Sequence, residues 1–286
     1  MDIEKDKKIS KVRPDVINFE DICGMVPSLA SHPRLVKWAM HAIGIDEVNR
    51  IHGTYCHQTG IPFSHLLVEE EFKFRLRIDN EEVLSRFPEG AFVTVSNHPF
   101  GGMDGILLLH IVGSHRSDYK VMVNFFLNNI RAMRSSFVAV DPIKDDASAE
   151  KKKITLQGIR EAMAHMKAGH PMGFFPAGAV SKLDSSLHVR DREWQPSVLR
   201  LIKQMKVPVV PIYFHGHNSV WFNILGLIDW RLRSLRLPQE LFKMRGREIH
   251  VSVGEPVMPD EQAKYADVES YGRMLRQATY SLEKMP

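Results

Sequence analysis

A chain of 286 residues with 38 Lys and Arg against 34 Asp and Glu has a formal charge of +4, and 44% of it is hydrophobic. That supplies enough apolar chain for a large core without staples and excludes wholesale disorder. A pI of 9.0 on so small a net charge does not point to nucleic acid, though it is compatible with acidic proteins or anionic lipid surfaces.

The chain opens on a charged lead-in, MDIEKDKKISKVRPD, expected to be mobile over its first 15 or so residues. It lacks the apolar stretch of a secretory signal. Residues from about Phe19 to Phe63 place Leu35, Val36, Ala39, Met40 and Ile43 at helical spacing, broken by Pro27, Pro33 and Pro62. These predict a small helical N-terminal subdomain, 1–71, ahead of a main domain, 72–286. Cys23 and Cys56 match neither a disulfide framework nor a zinc spacing, so free thiols in a reducing compartment are expected.

From Phe72 onward the pattern changes. Phe74, Leu76 and Ile78 alternate with charged residues as in a half-exposed strand. Further strands are expected over Ala91–Val95, Lys120–Val123, Ser136–Val140, Met172–Phe175, Val207–Phe214 and Ile249–Val253. A helix is predicted over Gly105–Ile111. A second, capped by Ser148 and stopped at Gly169, turns Leu156, Ile159, Met163 and Met166 to the core. Strands alternating with helices predict an α/β fold with a mixed sheet flanked by helices. No uninterrupted apolar run reaches the roughly 18 residues of a spanning helix. A cytoplasmic protein, peripheral at most to a membrane, is the expectation.

Three segments carry chemistry. Asn97-His98-Pro99-Phe100-Gly101-Gly102-Met103-Asp104 lies at a strand-to-helix junction, where the functional loops of α/β folds gather. Gly101-Gly102 allow the chain to fold Asp104 back on His98. A carboxylate on one ring nitrogen leaves the other as a base. The competing reading is a helix N-terminus capped by Asp104. Phe175-Pro176-Ala177-Gly178 ends a strand in a turn whose amides suit a developing oxyanion, or is simply a turn. Val207-Pro208-Val209-Val210-Pro211 places two prolines in a strand, which demands an edge or a bulge.

In this order and spacing the segments resemble the lysophosphatidic acid acyltransferase family. The match to its first motif is Asn97-His98 with Asp104, at a spacing of five intervening residues where the family has four. Ser136–Asp141 is a loose second motif, Phe175–Ser181 the third and Val207–Pro211 the fourth. The HPFGG form of the first is similar to the hemolysin-named branch, which includes acyltransferases of ornithine- and glycine-lipid synthesis. The resemblance covers about 72–256 and implies a glycerolipid acyltransferase-like fold.

It also implies an O-acyltransferase of membrane-lipid synthesis. A fatty acyl group would pass from an acyl carrier protein or coenzyme A thioester to the hydroxyl of a lyso-lipid, with no other cofactor and no metal. His98 would be the base and Asp104 its orienting partner. Asn97, Gly101, Gly102, Phe175, Pro176, Ala177, Gly178 and Ser181 would shape the oxyanion and substrate site, with His215 and Asn218 lining the acceptor side. Where the family's third motif has Glu and Arg, this chain has Ala177 and Val180, so the clamp for an acceptor phosphate is missing. An N-(3-hydroxyacyl) amino acid, a glycine or ornithine lipid precursor, is therefore favoured over lysophosphatidic acid, with Arg231 or Arg233 as available replacement cations. The alternatives are a lysophosphatidic acid acyltransferase or, in another class, a non-catalytic lipid-binding or membrane-lytic protein.

Trp221 to Arg231 brackets an apolar run with two tryptophans and is followed by Arg233 and Arg236. That composition suits a membrane interface with the arginines towards head groups, on the inner face of the cytoplasmic membrane; a core helix is the competing reading. Arg190-Asp191-Arg192 reads as a solvated patch that could help to dock an acidic carrier.

Overall fold

The computed structural model describes residues 12–141, 148–184 and 188–284. Of the expected lead-in, residues 1–11 lie outside the described residues. The part that is described is tied down. His52 Nδ1 lies 2.6 Å from the Pro14 carbonyl, and Asn49 Oδ1 accepts from the amides of Val16 and Ile17 at 2.9 and 3.2 Å. Arg13 pairs with Asp21. Mobility is therefore not what the sequence pattern means from residue 12 on, because side chains of the helix Ile45–Tyr55 satisfy this backbone.

Helices Phe19–Met25, Pro33–Ile43, Ile45–Tyr55 and Ile61–His65 form the N-terminal unit, followed by a π-helical turn over Leu66–Glu71. Among the described residues nine strands follow: β1 (Arg75–Asp79), β2 (Val93–Ser96), β3 (Lys120–Asn124), β4 (Phe137–Val140), β5 (Met172–Phe174), β6 (Lys182–Leu183), β7 (Val189–Arg190), β8 (Val209–Phe214) and β9 (Glu248–Val253). Seven of them form one sheet in the order β1-β9-β8-β2-β5-β3-β4, and β6 with β7 makes a separate hairpin. β8, β2, β5, β3 and β4 are mutually parallel. β9 runs antiparallel to β8 and carries β1 parallel to itself, which makes the sheet mixed.

Helices cover both faces, and the sheet residues sort accordingly. Val210, Ile212 and Phe214 of β8 pack with the helix Gly102–Ile111, while Val93 and Val95 of β2 and Val209 of β8 pack with Ala149–Lys167, Pro196–Met205 and Val268–Ser281. Gly102–Ile111 is apolar nearly all round, and Leu107, Leu108 and Leu109 are fully buried. Each contributes roughly 1.5–3 kcal/mol by burial. The same core takes in Ile61, Phe63, Leu67 and Phe72, so it runs without a break across residue 71.

Two elements differ instructively from their sequence patterns. Ala149–Lys167 buries Thr155, Gly158, Ala162 and Met166, while Leu156 is exposed. The helix lies so close to β4 that a Cβ at Gly158 would stand 2.3 Å from the Ala139 carbonyl oxygen, so small residues rather than large ones face the sheet. β8 is interior and fully buried despite Pro211. Val209 bridges Val257 and Ile212 pairs with Val253. The β9 side thus spends one more residue than β8 over the same span, the bulge that a strand proline requires.

Candidate active site

β2 delivers the chain to its carboxyl end in the middle of the sheet. There Asn97 acts as an extra rung towards β8: its Nδ2 donates to the Phe214 carbonyl at 2.8 Å and its Oδ1 accepts from the Phe214 amide at 2.7 Å. With Asn97 locked, His98 is the first residue free to leave the sheet. Pro99 and Phe100 lead to Gly101, whose φ of +78° is open to glycine at little cost. A Cβ there would also stand 3.1–3.2 Å from Leu237 and Val180.

The turn brings Asp104, in the first turn of Gly102–Ile111, back beneath the loop. Its Oδ2 accepts from His98 Nδ1 at 2.8 Å and from the amides of Phe100 and Gly101 at 3.0 Å each. Asp104 is fully buried, and that burial pushes its carboxyl above the ordinary value while His98 and the two amides draw it down. With the Nδ1 proton assigned to this bond, His98 Nε2 carries the lone pair and has no hydrogen bond among the described residues. The imidazole is stacked on Phe175, centroids 4.2 Å apart at 26°, so the ring is held at one face by Phe175 and at its Nδ1 edge by Asp104. This one carboxylate both caps the helix and bonds the His98 ring.

The turn after β5 closes over the loop. The Ser181 amide donates to the His98 carbonyl at 2.8 Å. Gly178 sits at φ +64°, a conformation that favours glycine, and a Cβ there would displace the Gln195 amide group, whose Nε2 it would approach to 1.8 Å. Its amide donates to the Phe175 carbonyl at 2.9 Å, so the oxyanion role expected of it is not open to it in this conformation. Pro176 accepts from the Gln195 amide at 2.8 Å, Ala177 is buried, and Gly102 packs near Leu127. Asn218 Nδ2 donates to the Pro99 carbonyl at 3.0 Å and so braces the loop from behind instead of facing an acceptor.

His215 is not part of this cluster. Its Nε2 lies 2.7 Å from Ser252 Oγ, and its ring stacks on His250 at 3.8 Å. His250 Nε2 in turn lies 2.5 Å from Asp79 Oδ2. Side chains alternate along β8 and its extension, so His215 falls on the Tyr213 side of the sheet, against β9 and β1.

A histidine–carboxylate pair thus stands at the carboxyl end of the central parallel strand, and comparisons with known proteins give the family. The family model for an acyltransferase, Acyltransf_2, matches residues 22–285. The chain belongs to that acyltransferase family. Two lyso-glycine lipid O-acyltransferases are similar to it. The one from Bacteroides thetaiotaomicron is 28% identical over 230 residues, 78% of this chain and 80% of that protein. The one from Phocaeicola vulgatus is 24% identical over 291 residues, 97% and 100%. Among solved structures, the crystal structure of the 1-acyl-sn-glycerophosphate (LPA) acyltransferase PlsC from Thermotoga maritima aligns with a TM-score of 0.49 and 16% identity. It covers 87% of this chain and 88% of that one.

In this acyltransferase the residue that the sequence pattern hides is Asp191. It is no solvated charge: it is 6% exposed, and its Oδ1 accepts from the His98 amide at 3.1 Å and from Ser181 Oγ at 2.6 Å. Oδ2 accepts from Trp194 Nε1 at 3.3 Å. Burial pushes its carboxyl upward as well. Flanking arginines mask it in the sequence; the one available signal is Trp194, an indole three residues on that needs an acceptor once buried.

Arg233 also departs from expectation. It turns inward, 6% exposed, with Nη1 and Nη2 donating to the carbonyls of Ser181 and Val180 at 3.1 Å each and its guanidinium 5.1 Å from the Phe222 ring centre. A cation thus does reach the third-motif turn, from a segment some 50 residues downstream. It holds that turn's backbone.

Proposed function

We propose that this acyltransferase carries a fatty acyl group from a thioester, on acyl carrier protein or coenzyme A, to the hydroxyl of an N-(3-hydroxyacyl) amino acid. Glycine is the favoured head group. The observation that carries the reading is the free Nε2 of His98, held in place by Asp104 on its other nitrogen and Phe175 on its face. As the acceptor oxygen attacks the thioester carbonyl, Nε2 takes its proton. The tetrahedral intermediate collapses with loss of the C–S bond, and His98 returns the proton to the departing thiolate. Asp104 stabilises the imidazolium between these steps, and no covalent enzyme intermediate forms. A positioned base of this kind supplies about 10²–10⁴-fold.

Two features support the amino-acid head group. The third-motif turn carries Ala177 and Val180 in place of the acid and arginine of phosphate-handling relatives, and the two nitrogens of Arg233 that reach this turn are engaged on carbonyls. A buried phosphate without a charged partner is costly, and a single carboxylate asks for less. The similar proteins named for lyso-glycine lipid acylation point the same way.

The site would work at a membrane surface, on the inner face of the cytoplasmic membrane. No helix among the described residues is long and apolar enough to cross a bilayer. Val220–Ile228 and Trp230–Leu235, however, leave Val220, Trp221, Leu227, Ile228, Trp230 and Leu235 exposed. These helices adjoin the catalytic loop through Asn218 on Pro99 and Arg233 on Ser181, so a lipid acceptor would enter beside the part of the protein most suited to the interface.

The test offers acyl carrier protein and coenzyme A thioesters together with an equimolar mixture of N-(3-hydroxyacyl)glycine and lysophosphatidic acid, with products identified by mass. The expected result is a preference of at least tenfold in kcat/KM for the glycine acceptor, about 1.4 kcal/mol. Preferential acylation of lysophosphatidic acid would overturn the assignment.

A further inference from the structure

Among the described residues outside the catalytic loop, two clusters of two histidines and a carboxylate bring their ligand atoms close enough to share an ion, and their ring geometry separates them. In the first, His215 and His250 are stacked nearly parallel, 8° apart. The lone pairs of an imidazole lie in the ring plane, so two stacked rings point them along parallel lines, and no single ion can sit on both. That cluster is a hydrogen-bond network through Ser252 and Asp79.

The second is different. His65 ends the helix Ile61–His65, Glu69 lies four residues on in the π-helical turn, and His110 sits in the last turn of Gly102–Ile111. The Nδ1 atoms of the two histidines are 2.9 Å apart. One oxygen of Glu69, Oε1, is 3.9 Å from each of them. The rings cross at 73°, so their in-plane lone pairs can converge on one point. For bonds of about 2.0–2.1 Å, the ligand atoms of a tetrahedral ion stand about 3.3–3.4 Å apart. The three observed edges fall on either side of that value and form one triangular face of such a site.

We infer that His65, Glu69 and His110 form a binding site for a divalent late first-row cation, zinc in the first instance, with water completing the coordination. Two imidazoles and one carboxylate are a donor set suited to zinc and poorly suited to magnesium, which takes oxygen ligands. The turn that presents Glu69 is a π-helical one, a local widening common at functional positions. The site has a structural consequence. It joins the N-terminal unit to the far end of the helix whose first turn carries Asp104, so an ion here clamps the catalytic helix to Ile61–Glu71 without touching the reacting groups. Neither the catalytic loop nor the acceptor assignment enters this inference.

The test uses the untagged full chain, stripped with chelator and dialysed, titrated calorimetrically with zinc chloride and in parallel with magnesium chloride. One saturable equivalent of zinc and none of magnesium is expected. At a hundredfold excess over Kd, zinc should raise Tm by about 5 °C. His65→Ala and His110→Gln should each weaken zinc binding at least tenfold, and His215→Ala should leave it unchanged. Glu69 is exposed, so Glu69→Ala keeps the test decisive where a histidine variant fails to fold: it too should weaken binding at least tenfold. Absence of a saturable equivalent would overturn the inference, as a proton shared between the two Nδ1 atoms would then account for their approach. So would zinc binding that survives these substitutions, or binding lost with His215→Ala.

Discussion

Of the histidine–aspartate contacts among the described residues, two bear comparison, one on the loop after the central strand β2 and one between β1 and β9, and only the first is proposed as a base. His98 meets Asp104 at 2.8 Å and His250 meets Asp79 at 2.5 Å, so distance does not distinguish them. What does is the disposition of the rest of the ring. His98 has left the sheet on a loop at the carboxyl end of β2, keeps Nε2 free of bonds among the described residues, and presents it beside a turn from β5. His250 lies within β9 with a second histidine stacked on its face, and that histidine in turn is bonded to Ser252. A carboxylate makes an imidazole useful only where the second nitrogen faces a space that substrate can enter.

The sharpest way to break this comparison is to remove each histidine. His98→Ala should lower turnover by about 10²–10⁴-fold with the fold retained by circular dichroism. A folded variant with near-normal turnover would end the mechanism. Asp104→Asn should cost about 10²-fold or more, because an amide facing Nδ1 no longer favours the tautomer that leaves Nε2 free. Here kcat should fall with little change in KM for the acceptor, and a pure KM effect would contradict the orienting role.

The exposed apolar helices Val220–Ile228 and Trp230–Leu235 come next. Replacing both Trp221 and Trp230 with Ser should weaken binding to anionic vesicles at least tenfold in a sedimentation assay, while turnover on detergent-dispersed acceptor is kept. Vesicle binding that is unchanged would remove the membrane from the proposal.

Asp191→Asn tests the second carboxylate around His98. It retains an acceptor but loses the charge assistance to three donors, at about 1–1.5 kcal/mol, and turnover should fall by up to tenfold. Asp191→Ala should instead destabilise the fold by about 1–3 kcal/mol, since Ser181, Trp194 and the His98 amide are left buried without a partner. The smallest effect is expected of His215→Ala, with turnover within about twofold of the parent. A large loss there would return His215 to the acceptor side.

Much of this arrangement was legible in the chain itself, for reasons that differ by residue. The seven strands of the main sheet were recoverable within two residues at their ends because alternation and turn residues are local, whereas the two-residue strands β6 and β7 were not. Gly101 and Gly102 marked the fold-back to Asp104, and Pro211 marked a break in pairing that became the bulge opposite β8. On Ala149–Lys167, Ile159, Met163 and Met166 meet the core as expected but Leu156 does not, because hydrophobic periodicity assumes that large residues fill the whole contact face. Here the close approach to β4 selects Gly158 and Ala162. Asp191 between two arginines was read as a solvated charge, because nothing near it in sequence records that His98, 93 residues earlier, needs an acceptor for its amide.

What the amino-acid sequence determined by itself was the alternation of strands and helices, the Asn97-His98 and Asp104 pair, and the turn at Phe175–Gly178. Each follows from residue types within a few positions of one another, where steric and hydrogen-bonding preferences act directly. Only the tertiary structure decided that Gly178's amide is engaged on Phe175, that His215 belongs with Ser252 and His250, and that Arg233 turns inward onto the third-motif turn. It alone also brought His65 and Glu69 against His110. Beyond the Gly178 turn, these contacts join residues some 35 to 50 positions apart. Their partners are chosen by which faces of the sheet and helices pack together, a cooperative outcome of burying the whole core that no local pattern encodes.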